Sequence, residues 1–445
     1  MFVGMIYTQE LVAEVLKVVE ETNLSEKEAI KRCLSGRIDG AIWSSVHAYV
    51  FEIEKRKNII DFILKSCFDG FENQDTILKN LLRVGVYEMF FKGVHPALAT
   101  DSIVRIVKSR FNLKLASVAN AVLRRAEKFD LSIVEKLGKV KRLALKYWHP
   151  EWFVRYAIDL LGEDEAIRLM ESNNRKQSVY IRVNELKSNV EAVRRYLERE
   201  GVEVEETPLK EVFKVLRYDK HPSILDWHDE GRYVVQDLAS CYVSHVLNPQ
   251  PDEIILDLAS APGLKASHMA SMMENRGLIV AVDNSAERLD RMKVKMRRLG
   301  VKNVVCRLAD GCRIRVGEVD RVLIDPPCSS TGSFRSYPCV KWRFDMGKYL
   351  KTVSLQRKMM RNAFRNVKCG GTVVYSTCSI TFEENEENVT FASQFFKVEE
   401  VKPILGVRGV RKFRGKVFPF WDRVVRTYPH LHDCTGFFIA KLKKV

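Results

Sequence analysis

The chain has 445 residues, 46% of them hydrophobic, which is ample for two or three domains with cores of their own. A formal net charge of +16 favours a polyanionic partner, most often nucleic acid. Ten scattered cysteines, with no CxxC pair and no Cys/His spacing of the zinc type, argue against a disulfide scaffold and a metal site, and point to a reducing cytoplasm.

From residue 1 to about 130 the apolar pattern is helical, with Leu11-Val12, Val15-Leu16 and Val18-Val19 at helix spacing. Further helices are expected around Ile59–Cys67, Ile77–Phe91, Ala97–Phe111 and Ala116–Lys128, making an all-helical N-terminal domain. The basic stretch Lys136–Arg142 reads as a connection or the start of a new helix. Residues 145–232 mix types: helices over Gly162–Ser172 and Asn189–Glu200, strands over Val179–Val183, Val202–Val204 and Val212–Leu216, hence a small α+β subdomain.

From 233 to 445 strand and helix alternate. Strands are expected over Glu253–Leu258, Leu278–Val282, Val304–Arg307, Arg321–Ile324 and Thr372–Tyr375, with helices over Ala286–Leu299 and Tyr349–Asn366. That rhythm predicts an α/β domain with a parallel sheet covered on both faces. No run is long and apolar enough to span a bilayer, and Met1–Glu10 lacks the basic and apolar regions of a signal peptide. A cytoplasmic protein with no membrane partner is expected.

The carboxyl ends of these strands carry the chemistry. The first runs into Asp257-Leu258-Ala259-Ser260-Ala261-Pro262-Gly263-Leu264-Lys265, where small residues and a glycine let the backbone approach a ligand before a helix begins. The second ends at Asp283, suited to the two hydroxyls of a ribose, with Arg288 in the helix that follows. The third is followed by Asp310, able to accept from an adenine amino group. Each has a bland reading alone, but three in order on successive strands point to a nucleoside cofactor. The absence of GxGxxG and of a P-loop disfavours a dinucleotide and a nucleotide triphosphatase. The fourth and fifth strands end at Asp325-Pro326-Pro327-Cys328 and Ser376-Thr377-Cys378. If both belong to one sheet, both thiols face one crevice as candidate nucleophiles.

Asp325-Pro326-Pro327-Cys328-Ser329 together with Ser376-Thr377-Cys378-Ser379 resembles the RNA 5-methylcytosine methyltransferases of the Sun/Fmu (RsmB) type. Val235-Gln236-Asp237-Leu238-Ala239-Ser240, Glu384-Asn385-Glu386, Arg426, Pro429-His430 and Thr435-Gly436-Phe437-Phe438 also fit, so the resemblance runs from about Pro150 to the C-terminus. Leu82-Arg83-Val84-Gly85-Val86-Tyr87-Glu88 and Val118–Arg125 resemble the helical NusB-type RNA-binding fold. The resemblance implies a Rossmann-like core binding S-adenosylmethionine through Ala259, Ser260, Ala261, Pro262, Gly263, Leu264, Lys265, Asp283, Arg288, Asp310 and Asp325. It departs from the family pattern at Ser260, Leu264, Ala266 and Phe382. Leu264 fits only if its position does not require a positive φ.

By the same resemblance Cys378 adds to carbon 6 of cytosine, which makes carbon 5 enamine-like and able to take the activated methyl. Asp325 is suited to hydrogen-bond ring nitrogen 3, and Cys328 assists release of the product. Lys265 is expected to hold Asp325 or polarise the base. The base must be unpaired or flipped to reach these groups. Arg335, Lys341 and Arg343 are as much phosphate contacts as a solvated face. Small-subunit ribosomal RNA is the favoured substrate and tRNA the alternative, for an enzyme expected to be monomeric. Two rival readings are a DNA cytosine methyltransferase, in which Cys328 would attack, and a non-catalytic RNA-binding assembly factor.

Overall fold

The apolar pairs at the start of the chain lie on α1 (Phe2–Glu21), with Val12, Val15, Leu16 and Val19 buried along one face. In the computed structural model, which describes residues 2–35 and 40–445, α1 opens a helical unit that runs to Asn174. It continues with α2 (Glu26–Leu34), α3 (Gly40–Cys67), α4 (Thr76–Tyr87), α5 (Pro96–Arg110), α6 (Leu113–Glu127), α7 (Lys139–Lys146), α8 (Glu151–Leu161) and α9 (Glu163–Asn174). Side chains cap several starts: Ser25 and Glu28 form a capping box on α2, Asp75 accepts from Ile77 N–H at 2.8 Å, and Asn112 accepts from Leu115 N–H at 2.9 Å.

Gly85 brings the two NusB-like segments together. A Cβ there would lie 2.9 Å from Leu123 Cδ2, so its absence lets α4 pack closely on α6. The helix expected over Ile77–Phe91 is α-helical only to Tyr87. A wider π turn over Glu88–Lys92 follows and stops at Gly93, whose φ is 73°. Glu88 is turned inward, accepting from Gln9 Nε2 and the Tyr49 hydroxyl, both at 2.7 Å.

The helical unit also includes Tyr337–Arg343, from much later in the chain. This segment is sewn in by polar contacts. Cys339 N–H donates to Glu26 Oε1 at 2.6 Å, Lys341 Nζ donates to the Trp148 carbonyl and Asn174 Oδ1, and Trp342 Nε1 donates to the Glu54 carbonyl at 2.7 Å. Arg343 donates to the carbonyls of Val19, Asn23 and Leu24.

The second unit covers Arg175–Ser336 and Phe344–Val445. Its smaller sheet is antiparallel, in the order β2 (Glu203–Glu206), β3 (Val212–Arg217), β1 (Val179–Val183), β4 (Tyr233–Val235). With α10 (Val190–Arg199) it encloses Ile181, Val183, Val193, Leu197, Phe213 and Tyr233. The short α11 (Asp226–Asp229) precedes β4.

The larger sheet places β5 (Ile254–Asp257) between β6 (Leu278–Asp283) and β8 (Val319–Ile324). Beyond β6 lies β7 (Val304–Leu308), and beyond β8 lies β9 (Val367–Thr377), all parallel. Helices α12 (Leu238–Leu247), α13 (Leu264–Met272), α14 (Ala286–Arg298), α15 (Met346–Asn366) and α16 (Glu386–Ala392) connect and flank these strands. The expectation of a parallel sheet needs one correction. β15 (Phe438–Lys443) runs antiparallel to β9, pairing Phe438 with Thr377, and carries β10 (Lys397–Glu399) and β14 (Val425–Arg426), the latter extended by β11 (Val407–Arg408). A hairpin of β12 (Lys412–Phe413) and β13 (Lys416–Val417) and the turn α17 (Pro429–His432) complete the unit. No helix among the described residues is long and apolar enough to cross a membrane.

Candidate active site

Because β5 to β9 are parallel, their carboxyl ends lie on one edge of the sheet, where ligands bind in open α/β folds. β5 ends at Asp257, which is buried; burial pushes this acid up to about 7 against the opposing pull of the Ser260 hydroxyl. The loop beyond it is tightly folded. Ser260 N–H donates to the Val282 carbonyl at 2.8 Å and Gly263 N–H to the Ser260 carbonyl at 2.8 Å. Gly263 takes φ 88°, while Leu264 is the first residue of α13. The left-handed position is thus the glycine that the chain retains, and Leu264 needs no special backbone.

Asp283, at the end of β6, accepts from Ser285 N–H at 3.1 Å and Ala261 N–H at 3.3 Å, and Arg288 lies 3.4 Å from it. Arg288 also donates to the Ala261 carbonyl, so the loop is gripped at both backbone groups of one residue. Asp310 lies beyond β7 with its carboxylate folded back onto Cys312 N–H at 2.8 Å. The buried Asp257 carboxylate beside the Ser260 hydroxyl, and the glycine turn that follows, fit a polar nucleoside group at this edge.

On the other side of β5, Asp325 follows β8. Its Oδ2 accepts from Lys265 Nζ at 2.7 Å and its Oδ1 from the Ser376 hydroxyl at 2.8 Å. Burial works against the charge on Lys265, but the Asp325 carboxylate outweighs it and raises the amine above its usual range. Lys265 therefore stays protonated and joins the cofactor loop to the residue before Pro326-Pro327-Cys328.

Cys328 and Cys378 meet, with their sulfurs 3.3 Å apart. The hydrogen bond from Cys328, with help from the Ser330 and Ser333 hydroxyls, outweighs burial and brings Cys378 down to about 7. The same bond, followed by burial and the charges of Cys378 and Glu384, drives Cys328 well up. When the pair loses a proton, the charge falls on Cys378 rather than Cys328, as a nucleophile requires.

Both cysteine loops rest on Glu384, a fully buried residue. Its carboxylate accepts from Ser329 N–H (2.8 Å), Ser329 Oγ (2.5 Å), Thr381 Oγ1 (2.9 Å) and Gln356 Nε2 (3.0 Å). Asn385 accepts from Thr377 Oγ1 at 2.6 Å and donates to the Ser379 carbonyl at 2.8 Å. Arg426 pairs with Glu386 and donates to the Ile380 carbonyl at 2.9 Å. Asp237 accepts from Thr435 N–H at 3.0 Å, linking the segment before α12 to the one before β15. The motif residues outside the reacting groups are thus the frame beneath them.

Sequence reasoning missed Ser330, Ser333, Ser376 and the reach of Glu384. Ser330 and Ser376 sat inside or beside the quoted motifs, which was the available signal. Neither the phosphate contact nor the solvated face holds for Arg335 and Lys341, which are buried, and Arg343 is half-buried on protein carbonyls. Arg335 is buried against the Lys176 carbonyl (2.8 Å) and Asp433 (2.5 Å), and Lys341 and Arg343 hold backbone of the helical unit. Outside the site, Glu211, His245 and His268 offer ligand atoms within 4.8 Å of one another. The Glu211 carboxylate already bonds both imidazoles, and burial with the nearby Arg182 charge holds His268 down to about 3, so the trio is a hydrogen-bonded cluster.

The sheet order, with its mostly parallel strands, defines a Rossmann-like fold of the methyltransferase class. The chain matches three family models: 16S rRNA methyltransferase RsmB/F over residues 244–443, the NusB family over 7–128, and the RsmF/B ferredoxin-like domain over 149–216. The tRNA (cytosine(49)-C(5))-methyltransferase of Pyrococcus abyssi is 35% identical over 59% of this chain and 87% of its own length. A probable ribosomal RNA small subunit methyltransferase B of Bacillus subtilis is 29% identical over 89% of each chain. The human 28S rRNA (cytosine(4447)-C(5))-methyltransferase is 37% identical over 70% of this chain, which spans 40% of that protein. Among solved structures, PH0851 has a TM-score of 0.83 at 29% identity, covering 98% of this chain and 99% of its own. NSun6 from Pyrococcus horikoshii, solved with SFG, an S-adenosylmethionine analogue, has 0.60 at 27% identity, covering 66% and 98%. The chain belongs to the RsmB/F family of S-adenosylmethionine-dependent RNA cytosine-C5 methyltransferases.

Proposed function

We propose that this chain methylates carbon 5 of a cytosine in small-subunit ribosomal RNA, with Cys378 as attacker and Cys328 as the group that assists release. The observation that carries the assignment is the pair of sulfurs 3.3 Å apart, with opposite tendencies to hold a proton. The Cys378 thiolate adds to carbon 6 of the base and makes carbon 5 nucleophilic. Asp325, braced by Lys265 and Ser376, meets ring nitrogen 3 and steadies the charge that develops in the ring. Bound S-adenosylmethionine supplies an electrophilic methyl group. Ala259, Ser260, Ala261, Pro262, Gly263, Leu264, Lys265, Asp283, Arg288, Asp310 and Asp325 are the residues we assign to holding it, with Asp257 beneath them. On release the carbon 5 proton passes to water, the carbon 6–sulfur bond breaks with its electron pair on the Cys378 sulfur, and the protonated Cys328 steadies that departing thiolate by hydrogen bonding.

In this reading residues 1–130 engage RNA, 145–232 form a spacer subdomain and 233–445 perform the chemistry, in a monomer acting in the cytoplasm. Ribosomal RNA is favoured by the NusB family match over 7–128 and by likeness to the Bacillus subtilis protein over 89% of both chains. Bisulfite sequencing of total RNA from a deletion strain tests the target. A small-subunit ribosomal cytosine that loses its methyl group supports the proposal, whereas loss only at a tRNA position replaces the substrate.

A further inference from the structure

The loop after Cys328 runs Ser329-Ser330-Thr331-Gly332-Ser333, and Ser330 within it has φ 53°. An L-residue with a Cβ rarely adopts that left-handed backbone, and it persists only where the surroundings hold it. Here they do. Gly332 N–H donates to the Cys378 carbonyl at 2.9 Å, and Ser333 N–H donates to the Ser330 carbonyl at 2.9 Å. The Ser329 and Thr331 hydroxyls, on either side, each meet Ser379 Oγ at 3.0 Å. A Cβ on Gly332 would fall 2.0 Å from the Gly436 carbonyl oxygen, so backbone closes over the loop at that point.

The left-handed turn brings Ser330 Oγ to 3.5 Å from Cys378 Sγ and 3.9 Å from Cys328 Sγ. The Cys378 thiol donates to this hydroxyl. Once the proton is gone the hydroxyl is free to rotate and donate to the thiolate. We propose that the Ser330 hydroxyl is a catalytic hydrogen-bond donor to the attacking Cys378 sulfur, placed there by its left-handed backbone at a cost to fold stability. Glycine would take the same backbone without strain, so the turn alone gives no reason for a serine. The inference rests on Cys378 being the attacker.

Ser330→Gly separates the two effects, because it removes the hydroxyl and the strain together. The measurement is iodoacetamide alkylation of the full chain across pH, with the Cys378 peptide followed by mass spectrometry. The midpoint for Cys378 is expected to rise by roughly 0.5–1 pH units, while the melting temperature stays level or rises by roughly 1–4 °C. Ser330→Ala, which keeps the strain, is read the same way. An unchanged Cys378 midpoint in either folded variant overturns the proposal. Alkylation reports on the sulfur whether or not it attacks cytosine. Failure of the attacker assignment would appear instead as a Cys378→Ala variant that still methylates RNA.

Discussion

Lys265 Nζ lies 2.7 Å from Asp325 Oδ2, so the first turn of α13 and the end of β8 share one part-buried ion pair. The pair ties the start of α13, just after the β5 loop, to the segment after β8 that carries Cys328. Removing either partner strands a charge; fully buried pairs lose about 3–5 kcal/mol this way, and this part-buried pair should lose less. Lys265→Met and Asp325→Asn should each lower the melting temperature. The double variant should be more stable than the sum of the two losses, by about 1–2 kcal/mol in a double-mutant cycle. Additive losses would mean that the pair is not coupled.

The two thiols should behave differently when removed. Cys378→Ala is expected to lower methylation by at least about a thousandfold, because no other thiol occupies its place. Cys328→Ala should slow attack, because its hydrogen bond is the chief support of the Cys378 thiolate, and should stall release of whatever adduct forms, giving a protein–RNA band that survives denaturing electrophoresis. The opposite pattern would exchange the roles and favour the Cys328-nucleophile reading.

The pH dependence follows from the charge on Cys378. Held down to about 7, it is thiolate above neutrality, so single-turnover methylation should climb with pH and level off beyond about 7. Its folded value lies below that of an unfolded cysteine. The stability it contributes is therefore present above about pH 9 and is lost as pH falls through about 7. Thermal melts of the parent and Cys378→Ser should converge as pH falls towards 6.

Gly85→Ala tests the packing of α4 on α6. The added methyl meets Leu123 at 2.9 and 3.3 Å and Ile103 at 3.4 Å, all inside a closed core. Overpacking of this kind costs about 1–3 kcal/mol. A melt showing no loss would mean that the leucine swings aside freely.

Much of the core was legible because its signals are local. Val179–Val183 forms a strand with the expected bounds, and β5 to β8 fall within two residues of the expected strands. Cys328 and Cys378 were expected at one sheet edge, and parallel pairing of β8 with β9 puts both there. β15 was not legible as a strand, since Phe438–Lys443 pairs with residues more than sixty positions earlier and its register is set by that partner. The cations Arg335, Lys341 and Arg343 look solvent-facing in sequence because nothing local reveals the carbonyl groups waiting for them. Ser330 escaped notice for a related reason: a positive φ leaves no mark on a serine.

Tyr337–Arg343 has a practical consequence for anyone cutting this chain. A fragment ending at Asn174 would keep every described α-helix of the helical unit and lose the seven residues that finish it, a 3-10 turn over Pro338–Trp342 among them. Glu26 would forfeit the Cys339 N–H, and the Trp148 carbonyl and the Asn174 side chain would forfeit the Lys341 ammonium. The helical part is discontinuous in sequence. Any truncation meant to isolate it should supply that heptapeptide, either in trans or spliced on through a designed loop.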